Sequence, residues 1–167
     1  MSNKWFTSDT HFVHENAIKN DWRKFQNADQ MDEMLIENWN SVVKPKDDVY
    51  HLGDFKLSPK RVTEYLDRLN GRIHLVLGNH DYKMKAWEKE CFESVQDILY
   101  LKPLNVFLCH YPMRTWHRSH YGTIQLHGHT HGMMSEVGRQ VDVGVDCWDF
   151  KPISLEQAKE RIERRLG

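Results

Sequence analysis

The sequence predicts an α/β fold, and three observations carry that expectation. Short apolar runs rich in β-branched and aliphatic residues recur along the chain, and each stops at a glycine or a polar side chain able to ligate a metal. Between the early runs lie segments whose apolar residues recur at helical spacing. Strand and helix therefore alternate through the first half, which implies adjacent strands that are largely parallel. In open sheets of that kind, ligands collect where the strands end.

The elements follow in order. A first strand is expected over 4–8 and runs into Asp9-Thr10-His11. Over 30–43, Met31, Met34, Leu35 and Trp39 recur at helical spacing and mark a covering helix. A turn at 44–48 leads to a short strand over 49–52 that stops at Gly53-Asp54. Ser58 then supplies an N-cap and Pro59 a first helical position for a helix carrying Val62, Leu66 and Leu69, with Asn70-Gly71 as its stop. The run over 72–77 reads as a buried strand that delivers Gly78-Asn79-His80-Asp81. A helix over 83–90 and a single strand over 95–101 are expected next, then a turn at 102–105 and a strand over 106–109 ending at His110. Residues 113–122 show neither period and read as a loop. Two further strands, over 123–127 and 140–145, belong to a second, mixed sheet, and the first of them leads into Gly128-His129-Thr130-His131. Ser154-Leu155-Glu156-Gln157 is a capping box opening a last helix, with Leu155, Ala158, Ile162 and Leu166 on its apolar side. With no repeat, low-complexity tract or linker, residues 1–167 read as one domain.

Composition narrows the function classes. The net charge is −1 and no polybasic tract is present, so no obligate nucleic-acid partner is expected. The first residues lack the apolar core of a signal peptide, and no run approaches the length of a bilayer span. The expected compartment is the cytoplasm, with no membrane partner; oligomeric state is left open. Cys91, Cys109 and Cys147 are odd in number and far apart, which argues for reduced, mostly buried thiols. Eleven histidines point to metal or phosphate chemistry.

Asp9, His11, Asp54, Asn79, His110, His129 and His131 together offer carboxylates, an amide oxygen and imidazoles. That mixture suits borderline divalent ions, manganese first, with iron, zinc or nickel as alternatives, better than magnesium or calcium. It exceeds what one ion needs, so two ions sharing a carboxylate is the economical arrangement. Asp9 and His11 are two apart, so on an extended segment both point to one side. His129 and His131 share that spacing, which leaves open whether they serve one ion or two.

The ordered set Asp-x-His, Gly-Asp, Gly-Asn-His-Asp, His and Gly-His-x-His, from Asp9 to His131, resembles the calcineurin-like metallophosphoesterase family, and is nearest to its short bacterial and phage-type members. The stretch 142–146 with Trp148 resembles the closing segment of that subgroup. The resemblance implies a sandwich of two mixed β-sheets flanked by helices (α/β/β/α). It also implies that Asp9, His11 and His131 hold one divalent ion and Asn79, His110 and His129 a second, with Asp54 bridging. His80 matches the family's catalytic histidine and Asp81 its orienting partner. The implied activity is dinuclear-metal-dependent hydrolysis of a small phosphodiester or phosphomonoester, a nucleotide among the candidates. A hydroxide between two cations about 3.5 to 4 Å apart would attack in line while His80 protonates the leaving oxygen. The alternative is a non-catalytic scaffold on the same fold.

Among the remaining residues, His14, Asn16 and Arg114 are candidates for contacting substrate phosphate, the last through its two-pronged guanidinium. His51, His74 and His127 read as structural histidines, and Trp39 and Trp87 as core. Trp116 and Trp148 are placed to flank the site, and Cys109 is expected on the opposite strand face from His110.

Overall fold

Side chains alternate across a strand, and in this chain both faces of the central strands are apolar. The computed structural model describes residues 2–19, 23–56 and 62–167. In β1 (Lys4–Thr7), β2 (Asp48–His51) and β3 (Arg72–Val76), Trp5, Val49, Ile73 and Leu75 face one way. They pack with residues of the helical layer, which includes α1 (Glu15–Lys19), α2 (Ala28–Val42) and α3 (Thr63–Leu66). Phe6, Tyr50 and Val76 face the other way, into a second core shared with the second sheet.

Both sheets are mixed, and helices flank them. After the short helix α4 (Ala86–Lys89), β4 (Ser94–Gln96) completes one side of the first sheet. β5 (Ile98–Leu101), β6 (Val106–Cys109), β7 (Ile124–His127) and β8 (Gln140–Asp142) form the second. β9 (Ile153–Ser154) then returns to the first sheet, and α5 (Leu155–Leu166) closes the described chain. The first sheet runs β4-β3-β2-β1-β9, antiparallel at β9, and the second β5-β6-β7-β8, antiparallel at β5. Phe6 lies in register with Tyr50, and their rings stack at 5.5 Å. Val106, Leu108, Ile124, Leu126 and Val141 meet this layer from the second sheet, and Leu155, Ala158 and Ile162 of α5 complete it. No described helix is long and apolar enough to cross a membrane.

Several expectations are corrected. The strand expected over 95–101 is two strands in two sheets. Ser94–Gln96 pairs parallel with β3, Asp97 carries the chain across, and Ile98–Leu101 pairs antiparallel with β6. An apolar run does not reveal which neighbour it will find, so one continuous pattern conceals the crossing. The helix expected over 83–90 is a 3-10 turn, Asp81–Lys83, followed by α4, and Trp87 on it is exposed rather than core. Met34 and Leu166 are also exposed, and of the cysteines Cys91 is exposed, Cys147 half-buried and Cys109 buried. The cap expected at Ser58-Pro59 lies outside the described residues; α3 begins at Thr63. Asn27 caps α2 through its side-chain oxygen on Gln30 N (2.8 Å), and Ser154 and Gln157 form the expected box on α5.

His51 and His74 lie within the sheet, as expected; His74 Nδ1 lies 2.9 Å from Ser94 Oγ, whereas His51 Nδ1 has no hydrogen-bond partner among the described residues. His51 is fully buried beside Trp39 and Phe55, with Nε2 3.0 Å from Thr10 Oγ1, whose own proton goes to Phe55 O. Burial holds this imidazole down at about 3. Unfolding below the ordinary imidazole range of about 6.5 therefore takes up a proton, and the stability His51 contributes is complete above that range and lost as pH falls toward 3. Relative to wild type, His51→Gln should flatten the decline of unfolding free energy between about pH 6.5 and 4.5, by about 1.4 kcal/mol per pH unit in urea titrations. Parallel profiles would assign the acid sensitivity to other groups.

Candidate metal centre

The parallel strands of both sheets end along one seam, and their end loops carry the polar residues. β1, β2 and β3 lead into Asp9, Asp54 and Asn79, while β6 and β7 lead into His110 and His129. Backbone bonds tie the loops together: Asp9 N donates to Gly53 O (2.9 Å), His11 N to Asp54 O (3.0 Å) and Gly128 N to His110 O (3.0 Å). Two glycines are required by this closeness. A Cβ on Gly78 would fall on the Asp54 carboxylate, and one on Gly128 on Ser8 Oγ and Asp9 Oδ2.

Six of the seven expected ligands form two donor clusters, Asp9 with His11 and His131, and Asp54 with His110 and His129; within each, the donor atoms lie within 4.8 Å of one another. Asn79 joins the second through Oδ1, 3.0 Å from His110 Nε2. Asp54 Oδ2 stands between the clusters, 3.7 Å from His11 Nε2 and 3.6 Å from His110 Nε2. His80 lies at the rim, with Nε2 3.9 Å from the same oxygen.

The donor chemistry fits divalent cations. His110 Nδ1 lies 2.6 Å from Leu52 O, which can only accept, so that nitrogen carries the proton and the neutral ring's Nε2 presents a lone pair to Asn79 and Asp54 oxygens. His131 is fixed in the same sense by Asp146 Oδ2 at 2.7 Å, which leaves its Nε2 facing Asp9 Oδ1 at 3.7 Å. Burial pushes the imidazoles of His11 and His110 below their ordinary range, which disfavours a proton as the mediator. Burial likewise raises Asp9 well above the usual carboxylate range, and its Oδ1 has no hydrogen-bond partner among the described residues. Lone pairs converging on buried carboxylate oxygen are satisfied by a cation.

The backbone is strained where these residues sit. Asp9, His11, Asp54, His129 and His131 all have left-handed φ, between +48° and +67°, as does the β-branched Val13 at +64°. The extended geometry expected for Asp9 and His11 is thus corrected: they converge on one cluster through left-handed backbone at both residues. Val13 is held by its N–H on Asp32 Oδ1 at 3.0 Å.

Residues 5–159 match the family model of the calcineurin-like phosphoesterase superfamily domain. The chain belongs to that superfamily. Metal-dependent hydrolysis of phosphoesters is the chemistry the family supports. An uncharacterized protein of Methanocaldococcus jannaschii, MJ1445, is 36% identical over 174 residues, covering 98% of this chain and 93% of its own. The gene 66 protein of Mycobacterium phage D29 is 31% identical over 200 residues, covering 97% and 96% respectively. The crystal structure of AQ665, a protein of unknown function from Aquifex aeolicus, superposes with a TM-score of 0.71 at 30% identity, covering 97% of this chain and all of that one.

Within this superfamily member, other expected residues fall in different places. Asp81 does not orient the His80 ring. Its carboxylate accepts from Asp54 N (2.6 Å), Gly78 N (2.8 Å) and Phe55 N (3.0 Å), and so holds two strand-end loops together. Such a buried acid has little capacity left for an imidazole. Burial raises it to about 6. His14 lies beside the first cluster, its ring 5.2 Å from that of His11, whereas Asn16 is exposed on α1. Arg114 and Trp116 line a groove beyond His110. Trp148 packs under the closing segment, with its Nε1 donating to Asp142 O.

Arg23, which no motif marks, is the largest omission from the sequence reading. Only 2% exposed, it donates through Nε and Nη2 to both oxygens of Asp146 (2.9 and 2.8 Å) and also to the carbonyls of Thr10 and Asp9. It thereby couples the backbone of the first motif to the acid that orients His131. The available signal was indirect: the acidic stretch ending at Asp146 needed a buried cation. Arg23→Ala should lower stability by about 3 kcal/mol in urea unfolding, because it strips a donor fork from Asp146 and two buried carbonyls. Arg23→Lys should recover only part of this, lacking the fork. A loss below about 1 kcal/mol would mean that solvent replaces the guanidinium.

Proposed function

We propose that this protein is a two-ion phosphoester hydrolase, with the whole chain acting as a single domain. The observation that carries the proposal is the position of Asp54 Oδ2 between two donor clusters. Asp9, His11 and His131 would hold one divalent ion and Asn79, His110 and His129 the other, with Asp54 shared. The mixed nitrogen and oxygen donors favour manganese, with iron, zinc or nickel as alternatives. When bound, such ions neutralise the phosphate and lower the pKa of water enough to make it nucleophilic at neutral pH.

The chain's own groups do the rest. The His80 ring, 38% exposed and 3.9 Å from Asp54 Oδ2, is free to reach a departing ester oxygen and give it a proton. Its backbone N–H donates to Asp54 Oδ1 (2.9 Å), so the loop that carries the acid also fixes the shared carboxylate. Asp81 keeps that loop closed on Gly78 and Phe55. Asp146 keeps the His131 lone pair aimed inward. The proposed substrate is a small phosphodiester or phosphomonoester met in the cytoplasm.

Reloading metal-depleted protein with manganese, nickel, zinc or magnesium and assaying bis-p-nitrophenyl phosphate and p-nitrophenyl phosphate tests the proposal. Metal-dependent turnover that disappears in Asp54→Ala is expected; absence of turnover with every ion would overturn it. His80→Ala should retain two ions per chain by elemental analysis. It should lose roughly 100- to 10,000-fold on an alkyl ester, with a smaller loss on the nitrophenyl ester, whose leaving group needs no proton. Equal losses on the two esters would remove His80 from the acid role.

A further inference from the structure

Beyond the second donor cluster, the chain forms a groove of about 640 Å³, within the range of small-molecule sites. Its lining includes Pro112, two residues past His110, His127, two residues before His129, and Met134, three past His131. Arg114 is four positions past His110, a chain reach of at most about 14 Å.

The walls are built rather than loose. Gln125 Nε2 donates to Tyr111 O (2.9 Å), Met113 N donates to Gln125 Oε1 (3.0 Å), and Gln140 Nε2 donates to that same amide oxygen (2.6 Å) and to Met113 O. Two side-chain amides from β7 and β8 thus fix the segment that follows His110. Trp116 turns its indole N–H onto Thr123 O (2.9 Å), which leaves ring surface for the groove. His127, 2% exposed, gives its Nδ1 proton to Gly128 O (3.0 Å).

Charge then selects the occupant. Arg114 and Arg139 both line the groove, none of its described lining residues is acidic, and no ion pair engages either guanidinium among the described residues. The acid of the neighbouring loop, Glu136, is turned onto Arg161 Nε (3.0 Å) and Arg165 of α5. Paired guanidiniums suit a phosphate, and an indole face suits a planar base.

We infer that this groove binds the organic group of the ester, and that this group is a nucleoside carrying a phosphate of its own. The inference rests on the phosphoester-hydrolase proposal for the adjoining centre, and deepens it from a simple ester to a nucleotide with two separate phosphates. The ester phosphate lies at the donor clusters, the second phosphate at Arg114 and Arg139, and the base against Trp116.

The test compares thymidylyl-thymidine bearing a terminal phosphate, at either its 5′ or its 3′ end, with the same dinucleotide bearing none. One phosphorylated form should be preferred at least about tenfold in kcat/KM, and Arg114→Gln combined with Arg139→Gln should abolish the preference. Titration calorimetry with thymidine 3′,5′-bisphosphate on metal-depleted protein reads the groove without turnover. The double arginine variant and Trp116→Ala should each weaken binding about tenfold or more, while Trp116→Phe retains it. Turnover of bis-p-nitrophenyl phosphate, whose esters carry no second phosphate, reports on the centre alone. If that ester is inert with every metal yet the bisphosphate binds in an arginine-dependent way, the hydrolase proposal falls and the groove stands. If the ester is cleaved but the dinucleotides show no preference and the arginine variant binds the bisphosphate like wild type, the groove inference is overturned.

Discussion

Asp54 Oδ2 is the atom around which the structure is arranged. Imidazole nitrogens of His11, His110 and His80 approach it to within 3.9 Å from three different loops, and the residue is 2% exposed. Buried polar groups this close destabilise a fold unless each has a second partner to hold it. The partners cross from one sheet to the other. His110, from the second sheet, donates to Leu52 O at the end of β2, and His129 N donates to Asp9 Oδ2 beyond β1. The seam between the sheets is therefore fastened by the same residues that form the donor clusters.

Placing so many polar side chains on strand ends carries a conformational cost. Five of the candidate ligands adopt left-handed backbone, which L-residues with side chains disfavour by about 1 to 3 kcal/mol each. A set of buried acids offsets it by gathering backbone N–H groups. Asp32 accepts from Val13, Asp81 from residues of two loops, and Asp142 from Gly144 (2.8 Å), Gly132 (3.0 Å) and the Thr130 hydroxyl (2.6 Å). These acids act on geometry, each tying a loop that the apolar cores of the two sheets leave free.

Much of this was legible in the chain. Apolar runs ending in Asp, Asn or His mark strands that deliver ligands, because burial demands the first pattern and only strand ends escape it. Asp9, His11, Asp54, Asn79, His110, His129 and His131 could all be named that way, and they do converge. The glycines of Gly-Asn-His-Asp and Gly-His-x-His were visible as motif members, although their reason, an oxygen where a Cβ would stand, is a contact between loops. What stayed hidden depends on pairing at a distance. The split of residues 94–101 between two sheets follows from which neighbour each half meets. Asp81 looked like a partner of the adjacent His80 because sequence shows adjacency, whereas the carboxylate is spent on backbone N–H groups of residues 54, 55 and 78.

By itself, the sequence determined the α/β alternation, the superfamily and the candidate donor residues, since these depend on local periodicity and on side-chain chemistry that folding does not alter. Tertiary structure alone decided that the donors converge through left-handed backbone, that a buried Arg23 ties Asp9 to Asp146, and that Arg114, Trp116 and Arg139 line one groove. Those outcomes rest on contacts between residues as far apart as 23 and 146. The free energy of such contacts is set by distance and burial in three dimensions, and neither quantity is written in any local stretch of chain.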